Sequence, residues 1–353
     1  MVKVTRIKKF FKKKKILITG NTGFIGSWLT LIFLNYGANV TGISRDLGSK
    51  NGIFNIFKLK NKIKFYKFDL TDEFKTNKFF KNKKYDIIIH LAAEALIIDG
   101  HLKPSKIIKN NILSTLNLIQ NINNSKTYFI NFTTDKVYFN NNSSKNYFKE
   151  DNYLYGDDPY SYSKVCVDMM TKMWVNNFLN FRCVNIRCGN VIGGGDWSHK
   201  RIIPDLMESI FKKKKLVLRS PKSTRPWVHI YEVCFIVLYL IYKNYGNKKI
   251  YEDFNISPNK NEEKNVLWIV NFYQKLSKIK INFSKKLEFK EKINLKLNNS
   301  KIKKNLTLKY KFNFRDRFLM TYYWYKFFYK TKKKLIDKTY DDLAYFENIF
   351  FKK

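Results

Sequence analysis

The glycine-rich turn near the N-terminus limits the possible folds more than any other part of the chain. Residues 16–19 are a short apolar run typical of a buried strand, and residues 27–36 carry apolar side chains at helical spacing. Between them, Gly20, Gly23 and Gly26 recur at every third position. A strand, a glycine turn and a helix in this order hold phosphate groups, because the helix N-terminus presents free N–H groups and a positive dipole end. The segment therefore predicts an α/β fold that binds a phosphorylated ligand.

The rest of the chain supports this fold class and suggests two parts. Apolar runs alternating with helical patterns indicate a doubly wound parallel sheet of the Rossmann type. We predict strands at residues 38–43, 63–68, 85–91, 127–133 and 182–187, and helices at 104–122 and 159–178. Farther on we predict helices at 204–211 and 315–329, an apolar segment at 231–242 and a strand at 251–256. The expected division is a dinucleotide-binding domain at 1–190 and a smaller, mainly substrate-binding lobe at 191–353.

The net charge of +40 admits two interpretations. One is a polyanionic partner, such as nucleic acid or an acidic membrane surface. The other is compositional drift, since Lys, Asn, Ile, Phe and Tyr are enriched together. The lysines are scattered along the chain rather than gathered in one segment, whereas a nucleic-acid module concentrates them. We therefore favour drift and predict no nucleic-acid partner.

Cysteine usage and apolar run lengths bear on metal binding and location. The four cysteines form no C-x-x-C pair and only four histidines are present, so we predict no metal site. Unpaired thiols are typical of a reducing compartment, and no secretory h-region follows the basic residues 1–15. The apolar run at 233–242 is too short to span a bilayer. We expect a cytoplasmic protein with no membrane association.

A tyrosine and a lysine in the helix predicted at 159–178 form a candidate catalytic pair. Tyr160 and Lys164 are four positions apart, hence on one helix face. A tyrosine with a pKa of about 10 is a poor base at neutral pH, but an adjacent ammonium lowers that pKa and favours the phenolate. Such a phenolate can take a proton from a substrate hydroxyl. The spacing alone is weak evidence, and it gains weight behind a phosphate-binding turn.

A second candidate group follows the strand predicted at 127–133. Thr133, Thr134, Asp135 and Lys136 lie at a strand end, where open α/β sheets bind their ligands. Consecutive hydroxyl, carboxylate and amine groups supply both an acid and a base. The competing interpretation is an ordinary turn capped by Asp135. Position and residue types together favour catalysis.

The glycine spacing resembles that of extended short-chain dehydrogenases/reductases. Phe-Asp-Leu at 68–70, Leu-Ala-Ala at 91–93 and an asparagine in the helix predicted at 104–122 match the same family. At the ribose 2′ position, Arg45 suits a phosphate and Asp46 suits a hydroxyl, so the residues leave NADP and NAD open and only the resemblance implies NAD. It implies cofactor contacts from Gly20, Thr22, Gly23, Phe24, Ile25, Gly26, Arg45, Asp69, Leu70, Leu91, Ala92, Ala93, Asn111, Thr133, Tyr160 and Lys164.

Longer motifs resemble one branch of the sugar-nucleotide 4,6-dehydratases, the CDP-glucose branch. Its Thr-Asp-Lys stands at 134–136, where the dTDP-glucose branch has Thr-Asp-Glu. Residues 189–197, Gly-Asn-Val-Ile-Gly-Gly-Gly-Asp-Trp, match the branch without a change, and Ile25 departs from it by replacing a lysine. Further matches are D-P-Y-S-x-S-K at 158–164 and T-R-P-W-x-H at 224–229.

The resemblance implies conversion of CDP-glucose to CDP-4-keto-6-deoxyglucose, with NAD regenerated in each cycle. Tyr160 would deprotonate the sugar 4-hydroxyl beside Lys164, and Thr134 would bind the forming keto oxygen. Lys136 would handle the C5 proton, and Asp135 would protonate the departing 6-hydroxyl, which requires a raised pKa. Arginines suit a diphosphate because they bind it bidentately. We expect substrate contacts from Glu94, Asn190, Arg201, Arg219, Arg225 and His229.

Other functions stay open at this level. The nearest is a 4-epimerase or a dehydratase acting on another nucleotide sugar, although simple epimerases do not need Asp135 and Lys136. A different class is a non-catalytic NAD(P)-binding regulator, which would be free to lose Tyr160 or Lys164. A third is a degenerate enzyme that keeps its fold. We expect a small-molecule nucleotide-sugar substrate and a homo-oligomer, either dimer or tetramer.

Overall fold

Strands and helices alternate along the chain around a central sheet. The computed structural model describes residues 4–143, 147–178, 181–247, 251–284, 292–307 and 311–352. The strands are β1 Lys15–Thr19, β2 Asn39–Ser44, β3 Lys64–Lys67, β4 Ile87–His90, β5 Tyr128–Phe132, β6 Arg182–Cys188, β7 Asn190–Ile192, β8 Leu216–Leu218, β9 Thr224–Arg225, β10 Trp227–His229, β11 Tyr251–Ile256, β12 Lys264–Asn265 and β13 Ile281–Phe283. The helices are α1 Val4–Phe11, α2 Phe24–Asn35, α3 Ile53–Ile56, α4 Glu73–Phe80, α5 Ile97–Leu102, α6 Pro104–Ile119, α7 Pro159–Phe178, α8 Ile202–Lys212, α9 Ile230–Asn244, α10 Val266–Gln274, α11 Ser300–Leu306, α12 Phe314–Lys330 and α13 Leu335–Phe351.

The main sheet has seven parallel strands in the order β11-β6-β5-β4-β1-β2-β3. Every residue of β4, β5 and β6 is buried, as expected for strands covered by helices on both faces. The strand order reverses between β1 and β4, and ligands bind at the carboxyl ends of the strands beside such a reversal. The predicted doubly wound α/β class is confirmed, and this reversal positions the site.

Part of the sheet comes from beyond residue 190. β11 pairs in parallel with β6, with Ile256 opposite Cys188. α9 packs against α2, where the ring centroids of Trp28 and Tyr231 lie 5.1 Å apart. The division at residue 190 stays a prediction, but the layers of the fold cross it, because sheet neighbours are chosen by tertiary packing rather than by local periodicity.

Two terminal helices extend beyond the predicted elements. α1 lies in the basic lead-in, where lysines separate the fully buried Ile7 and Phe11 and obscure the helical pattern. α13 follows the helix that we expected to be last. Its Glu347 accepts a hydrogen bond from Tyr36 on the α2 side of the core and pairs with Lys8 of α1 at 2.9 Å. The two ends of the chain therefore meet on one side of the sheet.

The structure describes the cysteine thiols, the grouping of possible metal ligands and the length and apolarity of the helices. Cys183, Cys188 and Cys234 are buried free thiols, and Cys166 is a partly exposed one. Within the described ranges, no group of three or more His, Cys, Asp or Glu side chains is arranged to hold a metal ion. In the same ranges, no helix combines the length and apolarity needed to cross a membrane.

Candidate active site

The glycine turn forms one wall of a cleft of about 470 Å³ at the carboxyl ends of the strands. Gly20 has a φ of +68°, and a Cβ there would lie 2.7 Å from the Ala92 backbone nitrogen. A Cβ on Gly26 would overlap the Gly20 carbonyl oxygen. Gly23 is the N-cap of α2, so the N–H groups of this helix end face the cleft without a side chain over them. This cradle fits the pyrophosphate of a dinucleotide.

The end of β2 lies directly beside this turn. The Thr22 N–H donates to Ser44 Oγ at 3.3 Å, which ties the turn to the last residue of β2. The next residue, Arg45, places its guanidinium 3.0 Å from the Glu94 carboxylate and 3.6 Å from that of Asp69. A predicted substrate contact, Glu94, is thus bound to a predicted cofactor contact, Arg45.

The end of β4 adds small and apolar side chains to the cleft. Leu91 and Ala93 line it. Asn111 holds the segment that follows, because its Oδ1 accepts from the Glu94 N–H at 2.8 Å. Its Nδ2 donates to Ser163 Oγ at 2.9 Å, which connects α6 to α7. Asn111 therefore supports the wall from behind.

Tyr160 and Lys164 lie one turn apart on α7, and both side chains are buried in the cleft wall. Asp158 orients the start of this helix, because its Oδ1 accepts from the N–H groups of Tyr160 at 2.9 Å and Ser161 at 3.0 Å. Lys164 Nζ donates to the Phe132 carbonyl at 3.0 Å, and burial lowers the pKa of Lys164 to about 8. The catalytic pair is thus close to the end of β5.

The electrostatics of Tyr160 differ from the sequence expectation. Burial raises the pKa of Tyr160 to about 12 and outweighs the hydrogen bond with Thr134 and the positive charge of Arg201, which both lower it. Lys164 was expected to supply the lowering charge, but its ammonium is directed to the Phe132 carbonyl. The sequence could not reveal this balance, because it depends on how deeply the phenol is buried.

After the end of β5, Asp135–Val137 form a short 3-10 turn whose N-cap is Thr134. Thr134 Oγ1 donates to Asp135 Oδ1 at 3.0 Å, while the other carboxylate oxygen of Asp135, which is buried, has no hydrogen-bond partner. Burial raises the pKa of Asp135, against the lowering effects of Lys136, Thr134 and Arg225. This direction agrees with the requirement for a carboxylic acid that donates a proton. The side chains of Thr133, Thr134, Asp135 and Lys136 all line the cleft.

A further part of the cleft wall is rich in cations. Asn190, Arg201, Arg219 and Arg225 line it. Arg225 is 4% exposed, and its Nη1 donates to the Thr224 carbonyl at 3.0 Å. Arg201 lies 3.9 Å from the Asp196 carboxylate, and Arg219 donates to the Lys200 carbonyl. This wall therefore suits the anionic part of a ligand.

Most of the predicted site residues share the cleft wall and some do not. Those on the wall are Gly20, Gly23, Phe24, Ile25, Gly26, Leu91, Ala93, Thr133, Thr134, Asp135, Lys136, Tyr160, Lys164, Asn190, Arg201, Arg219 and Arg225. Those outside the wall are Thr22, Arg45, Asp69, Leu70, Ala92, Glu94, Asn111 and His229. His229 lies outside this lining, and its Nδ1 accepts from the Tyr231 N–H at 3.3 Å and caps α9, so its contact with the substrate stays a prediction.

The sequence analysis did not identify several polar residues of the cleft wall, which lie after β7 and in the first turn of α8. Asp196, Ser198, His199, Lys200 and Asp205 all line the cleft. They follow or adjoin the Gly-Gly-Gly-Asp-Trp stretch, so their proximity to that motif was the available signal. Burial raises the pKa of Asp205 despite the nearby charge of Arg219.

The chain resembles known proteins over most of its length. Residues 16–257 match the NAD dependent epimerase/dehydratase family. The CDP-glucose 4,6-dehydratase of Salmonella typhimurium is 32% identical over 275 residues, which cover 74% of this chain and 76% of that protein. The dTDP-D-glucose 4,6-dehydratase of Dictyostelium discoideum is 31% identical over 235 residues, covering 62% of this chain and 54% of that protein.

Solved structures agree on the fold. A dTDP-glucose 4,6-dehydratase from Bacillus anthracis in complex with NAD aligns with a TM-score of 0.73 at 21% identity, covering 88% of this chain and 96% of that chain. A UDP-glucuronic acid 4-epimerase from Bacillus cereus, in complex with UDP-glucuronic acid and NAD, aligns with a TM-score of 0.76 at 23% identity, covering 89% and 100%. Family match, sequence identity and fold together show that this chain belongs to the NAD dependent epimerase/dehydratase family.

Proposed function

We propose that this chain is an NAD-dependent nucleotide-sugar 4,6-dehydratase that acts on CDP-glucose. The observation that carries the proposal is Asp135, a buried carboxyl group on the cleft wall with one oxygen unpaired and a raised pKa. A dehydratase needs an acid to protonate a departing hydroxyl, whereas an epimerase does not. The Salmonella typhimurium relative, whose name states CDP-glucose 4,6-dehydratase, supports the nucleotide.

The cofactor would be held along the carboxyl ends of β1, β2 and β4. The pyrophosphate would bind at the glycine turn, and the ring that reacts would lie beside Leu91, Ala93 and the Tyr160–Lys164 pair. When bound, NAD accepts a hydride from the sugar and returns one to it. The protein supplies orientation and proton transfer.

The side chains of the cleft divide the proton transfers between them. Tyr160 would take the proton from the sugar 4-hydroxyl, with Lys164 one turn away, and Thr134 would hydrogen-bond the same sugar oxygen. Lys136, or a water that it orients, would take the C5 proton made acidic by the neighbouring ketone, and would return a proton to C5 after the 6-hydroxyl has left. Asp135 would give its proton to the 6-hydroxyl as that group leaves. The raised pKa of Asp135 supports this role.

The cationic wall would hold the nucleotide diphosphate. Arg201, Arg219 and Arg225 line the cleft on the side of α8 and β9. Guanidinium groups bind phosphate oxygens in pairs. The net charge of +40 would also attract an anionic substrate at low ionic strength.

We also propose a cytoplasmic homo-oligomer, a dimer in its simplest form. Four free thiols are consistent with a reducing compartment. One face of α7 exposes Tyr162, Met169 and Met173, which are between 45% and 57% exposed. Exposed apolar side chains repeated along one helix favour burial against a second copy.

The deciding experiment incubates the purified protein with CDP-glucose and NAD and measures the absorbance of the 4-keto-6-deoxy sugar in alkali. We expect product with CDP-glucose and much less with dTDP- or UDP-glucose. Lys136→Ala should still bind NAD and should lose at least about 100-fold in turnover, the effect typical of losing a general base. A 4-epimerase would instead give an epimerised sugar without the absorbing product.

Lys136→Arg is the matched variant, because it keeps the positive charge and cannot act as a neutral base at this pH. We expect it to be as inactive as Lys136→Ala. Normal dehydration by Lys136→Ala would remove Lys136 from the mechanism, whereas normal dehydration by Lys136→Arg alone would mean that Lys136 orients a water and is not itself the base. Absence of keto sugar with every nucleotide sugar would contradict the proposed activity.

A further inference from the structure

Arg45 occupies the position that usually decides between NAD and NADP. It follows β2 about 20 residues past the glycine turn, where this type of sheet meets the adenosine ribose. An arginine at this position accommodates a 2′-phosphate, whereas a carboxylate accepts the 2′-hydroxyl. The residue type alone would therefore favour the phosphorylated cofactor. The surroundings of Arg45 point the other way.

Two carboxylates from other strand ends surround the Arg45 guanidinium. Glu94 Oε1 lies 3.0 Å from Arg45 Nη1, and Asp69 Oδ2 lies 3.6 Å from the same nitrogen. Asp69 follows β3, and Glu94 follows β4. Because β1 lies between β4 and β2 in the sheet, the Glu94–Arg45 pair reaches across the strand that carries the glycine turn.

The Glu94 carboxylate is held firmly in this place. Asn110 Nδ2 donates to its Oε1 at 2.6 Å, and Lys106 lies 3.7 Å away. Its backbone is fixed by Asn111, which accepts from the N–H at 2.8 Å and donates to the carbonyl at 3.1 Å. Burial alone would raise the pKa of Glu94, but the hydrogen bonds from Asn110 and Arg45 outweigh it and lower that pKa. Glu94 is therefore a negative charge at neutral pH.

The exposed fractions show which partner dominates. The Glu94 side chain is 16% exposed, while those of Asp69 and Arg45 are 39% and 47% exposed. Ion pairs weaken with exposure, because water screens them and the chains lose entropy. The Oδ1 of Asp69 also accepts hydrogen bonds from the N–H and the hydroxyl of Thr71, both at 2.9 Å. Glu94 is thus the main anchor of Arg45.

We propose that Glu94 determines cofactor specificity at the 2′ position by holding and neutralising Arg45, so that a ribose hydroxyl is accepted and a 2′-phosphate is repelled. A 2′-phosphate carries between about 1.5 and 2 negative charges at neutral pH. It would meet two carboxylates, while the cations beside them, Arg45 and Lys106, are already paired with Glu94. The inference deepens the proposed use of NAD by naming the side chain that enforces it, and Glu94 acts here as a positioning residue.

The test measures binding of the adenosine half alone to the full-length protein. Calorimetry compares ADP-ribose with 2′-phospho-ADP-ribose for the wild type and for Glu94→Gln, which keeps the shape of the side chain and removes its charge. We expect the wild type to prefer ADP-ribose, and the variant to shift that preference about tenfold toward the 2′-phosphate. The affinity for ADP-ribose itself should change less than about twofold.

Matched variants separate this effect from a general loss of charge. Glu208 of α8 is also ion-paired, with Lys212 at 2.6 Å and Lys214 at 2.8 Å. Glu208→Gln removes this charge and should leave the preference between the two probes unchanged. Asp69→Asn should shift it in the same direction by a smaller factor, since its contact with Arg45 is longer. When Arg45→Ala is also present, Glu94→Gln should shift the preference between the two probes by less than a third of the shift that it causes in the wild type.

An unchanged preference in Glu94→Gln would overturn the proposal, as would an equal gain with and without Arg45. A wild type that prefers the 2′-phosphate, or binds neither probe, would overturn it too. The probes lack the reacting ring and no turnover is measured, so the result is independent of the dehydration assay. If the dehydration assay gives no product but the wild type prefers ADP-ribose and Glu94→Gln shifts that preference, the proposed reaction is wrong and the role of Glu94 still holds.

Discussion

Two buried aspartates on neighbouring parts of the structure have opposite surroundings. Asp168 of α7 is 1% exposed and accepts from Arg187 Nε at 2.9 Å and Arg187 Nη2 at 2.8 Å, and from Thr133 Oγ1 at 3.0 Å. Asp135, after β5, is 2% exposed, and its Oδ1 accepts from Thr134 Oγ1 at 3.0 Å. Its second oxygen has no partner. Equal burial thus accompanies full pairing in one case and half pairing in the other.

The difference teaches how to separate structural from functional carboxylates in this fold. A buried charge without pairing costs free energy, so it persists where the protein uses it. Asp168 joins α7 to β6 through Arg187, which also donates to the Tyr138 hydroxyl at 3.0 Å and the Glu150 carbonyl at 2.8 Å. Asp135 faces the cleft beside Lys136. We therefore expect substitutions to affect folding at Asp168 and turnover at Asp135.

The largest effect is expected for Asp168→Asn. The amide cannot satisfy the Arg187 guanidinium, whose buried charge then keeps only partial compensation from the more distant Asp253 carboxylate, 3.4 Å from Nη2. We expect the free energy of unfolding to fall by about 3–5 kcal/mol, measured by urea unfolding followed by circular dichroism. The double variant Asp168→Asn with Arg187→Met should recover part of this loss. A loss below about 1 kcal/mol would show that the pair is not structural.

For Asp135→Asn we expect the opposite division of effects. Turnover of CDP-glucose should fall by about 10²- to 10⁴-fold, because the amide cannot protonate the departing hydroxyl. Stability should rise by about 1–2 kcal/mol at pH 7, because the variant no longer buries an unpaired carboxylate. The keto-sugar assay and urea unfolding measure the two quantities. Asp135→Asn that loses stability as Asp168→Asn does would abolish the contrast.

The pH dependence of this gain has a definite sign. The pKa of Asp135 is raised above its ordinary value of 3.8, so the folded protein binds more protons there than the unfolded chain as the pH rises above 3.8. Asp135 therefore contributes to stability at low pH and loses that contribution as the pH rises through its folded pKa. The stabilising effect of Asp135→Asn should be present at pH 7 and absent below pH 3.8. An equal gain at both pH values would contradict the raised pKa.

The sheet and the strand-end residues were predictable because their signals are local. Each central strand is an apolar run between charged or turn residues, and the residue that ends it is read directly from the sequence. Thr134 follows β5 and Tyr160 lies in the first turn of α7, the helix that follows β5 in the chain, so both could be predicted at the carboxyl edge of the sheet. The lysine-interrupted helix α1 and the partnership of β11 with β6 depend on packing, which periodicity does not record.

The features of the site that the sequence could not predict have a related physical origin. Arg45 and Glu94 are 49 positions apart and meet because β1 separates their strands by one place in the sheet. Nothing in either local sequence identifies the other partner. The depth at which the Tyr160 phenol is buried, and hence its pKa of about 12, is equally a product of tertiary structure. Residue identity predicted which groups are present, while pairing and burial decide what they do.

The smallest effect is expected at His229, which tests whether an unpaired buried atom away from the cleft matters for function. His229 Nε2 has no hydrogen-bond partner, as with Asp135, but the side chain caps α9 outside the cleft wall. His229→Asn keeps a good N-cap, so the free energy of unfolding at pH 7 should change by less than about 1 kcal/mol and the KM for CDP-glucose by less than about twofold. A large rise in KM at unchanged stability would make His229 a substrate ligand after all.

The free energy of unfolding of His229→Asn, measured at acidic pH, gives a second and independent test. Burial lowers the pKa of His229 from 6.5 to about 3, so between these values the unfolded chain binds a proton that the folded protein does not. The contribution of neutral His229 to stability is therefore complete above pH 6.5 and declines as the pH falls toward 3. The variant should lose stability less steeply over this window. His90, whose pKa burial also lowers to about 3, remains in both proteins and keeps part of the slope. Identical slopes would mean that His229 does not stay neutral in the folded protein.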